Sequence, residues 1–316
     1  MTRSIAQFMA LVTLISTSFV LVTPANAQIC YTYRTIDIPT PSGLQGMTHL
    51  EAINTAGLIV GHYANQEPPD GYTLKRQRSR LVVKNYRPVP GGPTFPRGIN
   101  RLGDTVGMQL TASGAIGYFR RANGVVQTVT VPGASYAEAL GTNSKRDVVG
   151  VFHILDPTTG FLGPMNGFWR YKGEYLTINA PESVFGTTLT GINVHQDIVG
   201  WYFPQDDTIH GLHIVDGVYA TLDVPGALYT FLLDINDAGA IVGSHTQGEY
   251  GQGFLYQDGA FYPITPGVGE IHSEATGINN AGEIVGNYWA PDGLNFYGFV
   301  ATPQATCATP AMAMAE

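Results

Sequence analysis

Several histidines and carboxylates of this chain stand at a fixed offset from a recurring asparagine. His49, Glu138 and Glu274 each lie five residues before Asn54, Asn143 and Asn279, and Tyr136 and His272 lie two residues earlier still. A carboxylate pair such as Glu138 and Glu274 suits general acid/base chemistry, provided their environments hold their pKa values apart. Histidines and carboxylates converging from separate segments, His49 and His272 among them, suit a divalent metal, the one cofactor these residues suggest. None of them has a diagnostic local spacing. His210 and His213 are three apart in an extended segment, so they point to opposite sides. A second group is aromatic and polar: His62, Tyr63, Trp201, Tyr202, His245 and Trp289 follow a Val-Gly step, with Asp206 and Tyr250 in the loops beyond. Flat aromatic faces beside oriented hydrogen-bonding groups suit a sugar ring. The sequence has no GxSxG, HExxH, P-loop, GxGxxG or CxxC pattern, so common enzyme signatures are absent.

The elements that must position these groups are repeats. INTAGLIVG (53–61), INRLGDTVG (99–107), TNSKRDVVG (142–150), INVHQDIVG (192–200), INDAGAIVG (235–243) and INNAGEIVG (278–286) place successive asparagines 46, 43, 50, 43 and 43 residues apart. A Gly-aromatic or Gly-aliphatic step (Gly71-Tyr72, Gly117-Tyr118, Gly167-Phe168, Gly211-Leu212, Gly253-Phe254, Gly298-Phe299) follows each core, and a strand ending in proline follows that step. Four short strands per repeat, parted by Asn-x-x-Gly, Asp-Gly or Asn-Gly and Pro-Gly turns, predict a six-bladed β-propeller of four-stranded antiparallel blades. The short turns fall on one face. The variable loops fall on the other, which is therefore the expected working face.

This pattern resembles the bacterial extracellular HAF repeats, with His210-Gly211-Leu212 the nearest match to the His-Ala-Phe-like step. The resemblance spans nearly all of the chain after the leader. It implies an exported, propeller-like protein and carries over no reaction.

The last repeat stops after its third strand, and the missing fourth is TIDIP at 35–39. The N-terminal strand is therefore expected to close the ring. Cys30 and Cys307, the only cysteines, would replace the missing turn as a terminal disulfide.

Arg3, the apolar run from Ile5 to Val22 and the Ala25-Asn26-Ala27 site predict a signal peptide over 1–27, cleaved after Ala27. A single propeller domain is expected over 28–307 and a disordered tail over 308–316. No second long apolar stretch follows, so no membrane span is expected after cleavage. Removal of Arg3 leaves 15 Lys+Arg against 24 Asp+Glu, a net charge of −9 that repels nucleic acid and anionic surfaces. The basic run Lys75, Arg76, Arg78 and Arg80 reads as protection of an exposed strand edge. The sequence thus predicts a monomeric, secreted or periplasmic β-propeller acting as an interaction module for a glycan or other cell-surface component. The alternative is an extracellular hydrolase or lyase with a His/carboxylate site, with or without metal, at the axial mouth.

Overall fold

A computed structural model describes residues 29–63, 71–77, 80–89, 91–112, 114–267 and 269–305. The leader (1–27), Arg78, Cys307 and the tail (308–316) lie outside the described residues.

The chain is all-β. After β1 (Tyr31–Ile36) come β2 (Thr48–Ile53), β3 (Leu58–Tyr63), β4 (Gly71–Gln77) and β5 (Arg80–Tyr86), which form blade 1. Blade 2 holds β6 (Thr94–Ile99), β7 (Thr105–Thr111), β8 (Gly114–Arg120) and β9 (Val126–Val129). Blade 3 holds β10 (Tyr136–Thr142), β11 (Val148–His153), β12 (Asn166–Tyr171) and β13 (Glu174–Ile178). Blade 4 holds β14 (Gly186–Ile192), β15 (Ile198–Phe203), β16 (His210–Val215) and β17 (Val218–Thr221). Blade 5 holds β18 (Tyr229–Ile235), β19 (Ile241–Thr246), β20 (Gly251–Gln257) and β21 (Ala260–Ile264). Blade 6 holds β22 (His272–Ile278), β23 (Ile284–Trp289) and β24 (Phe296–Pro303), and β1 pairs antiparallel with β24, Tyr31 opposite Pro303 and Ile36 opposite Gly298. The architecture is a six-bladed propeller of four-stranded antiparallel blades.

The repeat residues have identifiable work. Ile-Val-Gly strands are buried on both faces because a neighbouring blade packs on each, which suits β-branched side chains. Their glycine makes room for the aromatic of the next strand: a Cβ on Gly286 would sit 2.6 Å from the Phe299 ring. The asparagines form a closed ring. Each side-chain amide donates to the backbone carbonyl of the corresponding asparagine one blade on: Asn54 to Asn100 (3.2 Å), Asn100 to Asn143 (2.9 Å), Asn143 to Asn193 (2.9 Å), Asn193 to Asn236 (3.3 Å), Asn236 to Asn279 (3.2 Å), Asn279 to Asn54 (3.1 Å). Each Oδ1 also accepts backbone N–H groups two and four residues downstream, as at Ala238 and Ala240 for Asn236 (both 3.0 Å). One residue type thus folds its own turn and ties its blade to the next.

Candidate functional site

The innermost strands β2, β6, β10, β14, β18 and β22 surround the axis. Each carries a β-bulge at one equivalent place, where the register slips between Leu50 and Ala52, Pro96 and Gly98, Ala139 and Gly141, Leu189 and Gly191, Leu232 and Asp234, and Ala275 and Gly277. A bulge inserts one unpaired residue and re-aims it. The six bulged residues are Glu51, Arg97, Leu140, Thr190, Leu233 and Thr276, and all six line one axial cavity of about 460 Å³. A second tier, two residues earlier, adds His49, Glu138, Thr188 and Glu274. The wall is therefore polarised: blades 6, 1, 2 and 3 supply most of its ionisable groups, blade 4 supplies Thr188, Thr190 and Trp201, and blade 5 supplies Leu233 and, lower down, Asp234.

The ionisable groups form a continuous chain across those four blades. Glu274 Oε1 lies 3.3 Å from His49 Nε2 and accepts the Asn287 amide at 3.1 Å. Asn287 itself is fixed to Leu50, accepting its N–H at 2.7 Å and donating to its carbonyl at 3.0 Å. His49 Nδ1 faces Glu51 Oε1 at 3.5 Å, and that oxygen also meets His62 Nδ1 at 3.1 Å and Arg97 Nη1 at 2.5 Å. The His49 and His62 rings stack 4.5 Å apart at 23°, with Phe296 stacked 5.4 Å from His49. Arg97 Nε reaches toward Glu138 Oε2 at 3.6 Å, and the Tyr136 hydroxyl donates to Glu138 Oε1.

These contacts set the protonation states. Burial alone would discharge His49, but the flanking Glu51 and Glu274 carboxylates outweigh it and raise its pKa. Burial also dominates at His62 and, with the adjacent His49 charge, lowers its pKa despite its contact with Glu51. Glu51 resists burial because Arg97, His49 and His62 surround it, and its pKa falls well below the carboxylate range. Glu274 is lowered against burial by His49 and Asn287. Lower in the channel, Asp234 stands where the other blades carry Gly or Ala. Burial pushes its pKa up to about 7, although it accepts the Ile235 (2.9 Å) and Ile278 (3.0 Å) amides.

The sequence candidates divide accordingly. His49, Tyr136, Glu138, Trp201 and Glu274 line the cavity, and His62 lies behind Glu51. His272 does not join His49: its Nδ1 accepts the Gly251 N–H at 2.9 Å, so it ties blade 6 to blade 5 and the expected His49/His272 metal pair is not assembled. Tyr63 and Tyr202 point away from solvent, because strand alternation turns the residue beside an axial side chain into the blade core. Tyr63 is 3% exposed against Tyr72, and Tyr202 is 2% exposed, its hydroxyl donating to Glu182 at 3.1 Å. His245 packs beside Phe254, Trp289 against Phe296, and Asp206 and Tyr250 are exposed on the loops; none of the four lines the cavity.

Glu51, Arg97, Asp234 and Asn287 escaped the sequence reading. Glu51 and Arg97 occupy the same column, three residues before the asparagine, with opposite charges in adjacent blades; that was the available signal. His49, Glu51 and His62 offer three ligand atoms within 4.8 Å of one another, the spacing of a metal site. The same Glu51 oxygen already meets the Arg97 guanidinium, so a divalent ion there would face a fixed cation, and the residues as arranged do not fit one.

No protein-family model matches this chain. No curated protein matches it either. Solved structures do. A triple arginine-to-alanine mutant of AofleA from Arthrobotrys oligospora is 11% identical over 88% of this chain and 91% of its own, with a TM-score of 0.50. A gluconolactonase from Xanthomonas campestris is 11% identical over 87% of this chain and 100% of its own, with a TM-score of 0.48. The Aleuria aurantia lectin, as a mutant in complex with Fucα1-6GlcNAc, is 10% identical over 83% of this chain and 97% of its own, with a TM-score of 0.42. At such identities the likeness is one of fold alone.

Proposed function

We propose that this chain is an exported β-propeller of the HAF-repeat type that binds a glycan or glycan-derived component of the cell envelope in its axial cavity. The supporting observation is the polarised wall of that cavity. Trp201 is held edge-on by Phe203 (5.2 Å) and Phe231 (5.6 Å) beside Thr188 and Thr190, with Glu138, His49 and Glu274 on other blades. An apolar ring face with oriented polar groups around it is what a sugar requires, and about 460 Å³ lies within the usual range for small-ligand sites. Export follows from the leader, and the ring is held by a Cys30–Cys307 disulfide. Its support is that the Cys30 carbonyl accepts the Gln304 N–H at 2.9 Å, three residues before Cys307. The mature protein is a monomer. A glycan array on the mature protein, repeated with Trp201→Ala, tests the binding reading. Selective retention that falls about tenfold or more in the variant is expected; a folded protein that retains no glycan above background overturns it.

A second reading, an extracellular hydrolase or lyase, draws on the His49–Glu51–His62 group. Two stacked imidazoles share one carboxylate oxygen while their pKa values move in opposite directions, which separates a proton donor from a proton acceptor. In this reading His49 gives a proton to a leaving oxygen and Glu138 or Glu274 orients the attacking or departing group. Turnover of ester, glycoside or uronide model substrates that disappears in His49→Ala would favour it over binding alone.

A further inference from the structure

We infer that the axial cavity selects an amine-bearing sugar, its ammonium seated on one end of the carboxylate arc that runs from Glu274 in blade 6 to Glu138 in blade 3 across the axis; this rests on the glycan-binding reading above. Two independent inventories of the lining lead there.

The first is charge. Glu51, Glu138 and Glu274 face Arg97 and His49. His49 has a carboxylate oxygen near each ring nitrogen, 3.5 Å from Nδ1 and 3.3 Å from Nε2, with the Asn287 amide also 3.5 Å from Nδ1; the two flanking carboxylates suit the protonated imidazolium. Among the upper groups three carboxylates against two cations leave −1, and Asp234 lower in the channel adds a fourth carboxyl group. Arg97 is a poor seat for an anion: its guanidinium bonds Glu51, and its Nε, without a hydrogen-bond partner among the described residues, lies 3.6 Å from Glu138, so an arriving ligand carboxylate would meet both carboxylates.

The second inventory is hydrogen-bonding capacity. Several donors of this wall are spent within the protein, although Arg97 Nε and Thr142 Oγ1 have no hydrogen-bond partner among the described residues. Thr190 donates to Leu232 O at 2.7 Å, Thr276 to Leu50 O at 2.8 Å, and Tyr136 to Glu138; the Asn287 amide is held by Leu50 and Glu274. His153 Nδ1 faces the Gly163 carbonyl at 2.9 Å, which assigns the proton to Nδ1 and leaves Nε2 an acceptor in the neutral ring. Acceptors remain. Among the described residues, Glu274 uses only Oε1 toward protein, and Glu138 Oε2 has only the long approach of Arg97 at 3.6 Å. A negatively charged, acceptor-rich wall is complementary to a cationic, donor-rich ligand. An ammonium group has three donors and no acceptor, and sugar hydroxyls add more donors toward the neutral threonine and tryptophan side.

Isothermal titration of the mature protein at neutral pH with D-glucosamine, D-glucose, D-glucuronate and putrescine tests this. Glucosamine is expected to bind about tenfold or more tightly than glucose, and glucuronate more weakly than glucose. Of Glu274→Gln and Glu138→Gln, each checked for an unchanged thermal melt, the variant at the ammonium seat should bring the glucosamine-to-glucose ratio toward one. Glucuronate as the tightest sugar, or a glucosamine preference untouched by both variants, overturns the inference while leaving sugar binding intact. Putrescine binding without any sugar binding supports the ammonium seat and overturns the glycan reading. Binding of neither sugars nor putrescine overturns both.

Discussion

Glu51 is the residue on which the charged cluster depends. Its Oε1 meets Arg97, His62 and His49 at 2.5, 3.1 and 3.5 Å, and its side chain is only 11% exposed. Removing the guanidinium leaves a partly buried carboxylate beside two imidazoles, and breaking such a pair is far costlier than replacing it whole. Arg97→Ala should therefore destabilise the protein by about 3 kcal/mol, read by chemical unfolding, whereas Arg97→Met combined with Glu51→Gln should recover more than half of that loss. Equal destabilisation of the single and double variants would mean that packing, not charge, holds the cluster. The same cluster bears on metal content. Because Arg97 already supplies the cation at Glu51, the mature protein purified without chelator should carry far less than one equivalent of divalent metal, and EDTA should leave its melt unchanged. One bound equivalent, with a melt lowered by EDTA, would show that Arg97 yields its place.

At the scale of strands and turns, the asparagine column and the bulge column divide the work between stability and site. Asn236→Ala removes three hydrogen bonds at once, two within the turn and one to Asn279 of the next blade, two of them buried and the one to Ala238 partly buried. A loss of roughly 3 kcal/mol is expected in thermal or denaturant unfolding, with the ligand affinity of the folded protein retained. Asp234 is the exception in its column and makes stability depend on pH. Its pKa is raised in the folded state, so its proton-linked stability is complete below the unfolded carboxylate value and is lost as pH rises through about 7. The melting temperature should fall between pH 6 and 8, and Asp234→Asn should flatten that part of the profile. The carboxylates Glu51 and Glu274 have the opposite sign. Their stability is present at neutral pH and is lost in acid, as pH falls through their lowered values.

For the molecule as a whole, the first and last described strands meet in blade 6, where β1 lies against β24. A propeller whose ends share one blade gains from a covalent link between them. The proposed Cys30–Cys307 bridge would close nearly the whole chain, a loop long enough to contribute on the order of 4–5 kcal/mol in the chain-entropy view. Dithiothreitol, or Cys30→Ser, should lower the melting temperature by several degrees; a melt indifferent to reductant would remove the bridge from the account.

The repeat and what it entails are written along the chain: six asparagines at near-constant spacing, each with its IVG-like strand, its Gly-aromatic or Gly-aliphatic strand and its proline strand. These are local signals. A turn needs its asparagine and glycine within a few residues, and a strand buried between blades needs its β-branched run, so both can be read along the chain. His49, Glu138 and Glu274 were legible for the same reason, since they hold one offset from a recognisable landmark. Which columns meet depends on how the blades pair and close. Glu274 and His49 are more than 200 residues apart and touch because the ring closes. Glu51 and Arg97 reach the axis because a bulge re-aims one residue in every inner strand, an irregularity of pairing between strands that no single strand displays. Tyr63 and Tyr202 looked like ligand residues beside His62 and Trp201, yet strand alternation turns them into the blade core. His272 shares its neighbourhood in sequence with Glu274 but is drawn to the Gly251 amide of blade 5. Spacing fixes a residue's distance along a strand; the pairing partner and the closure of the ring fix the direction it faces.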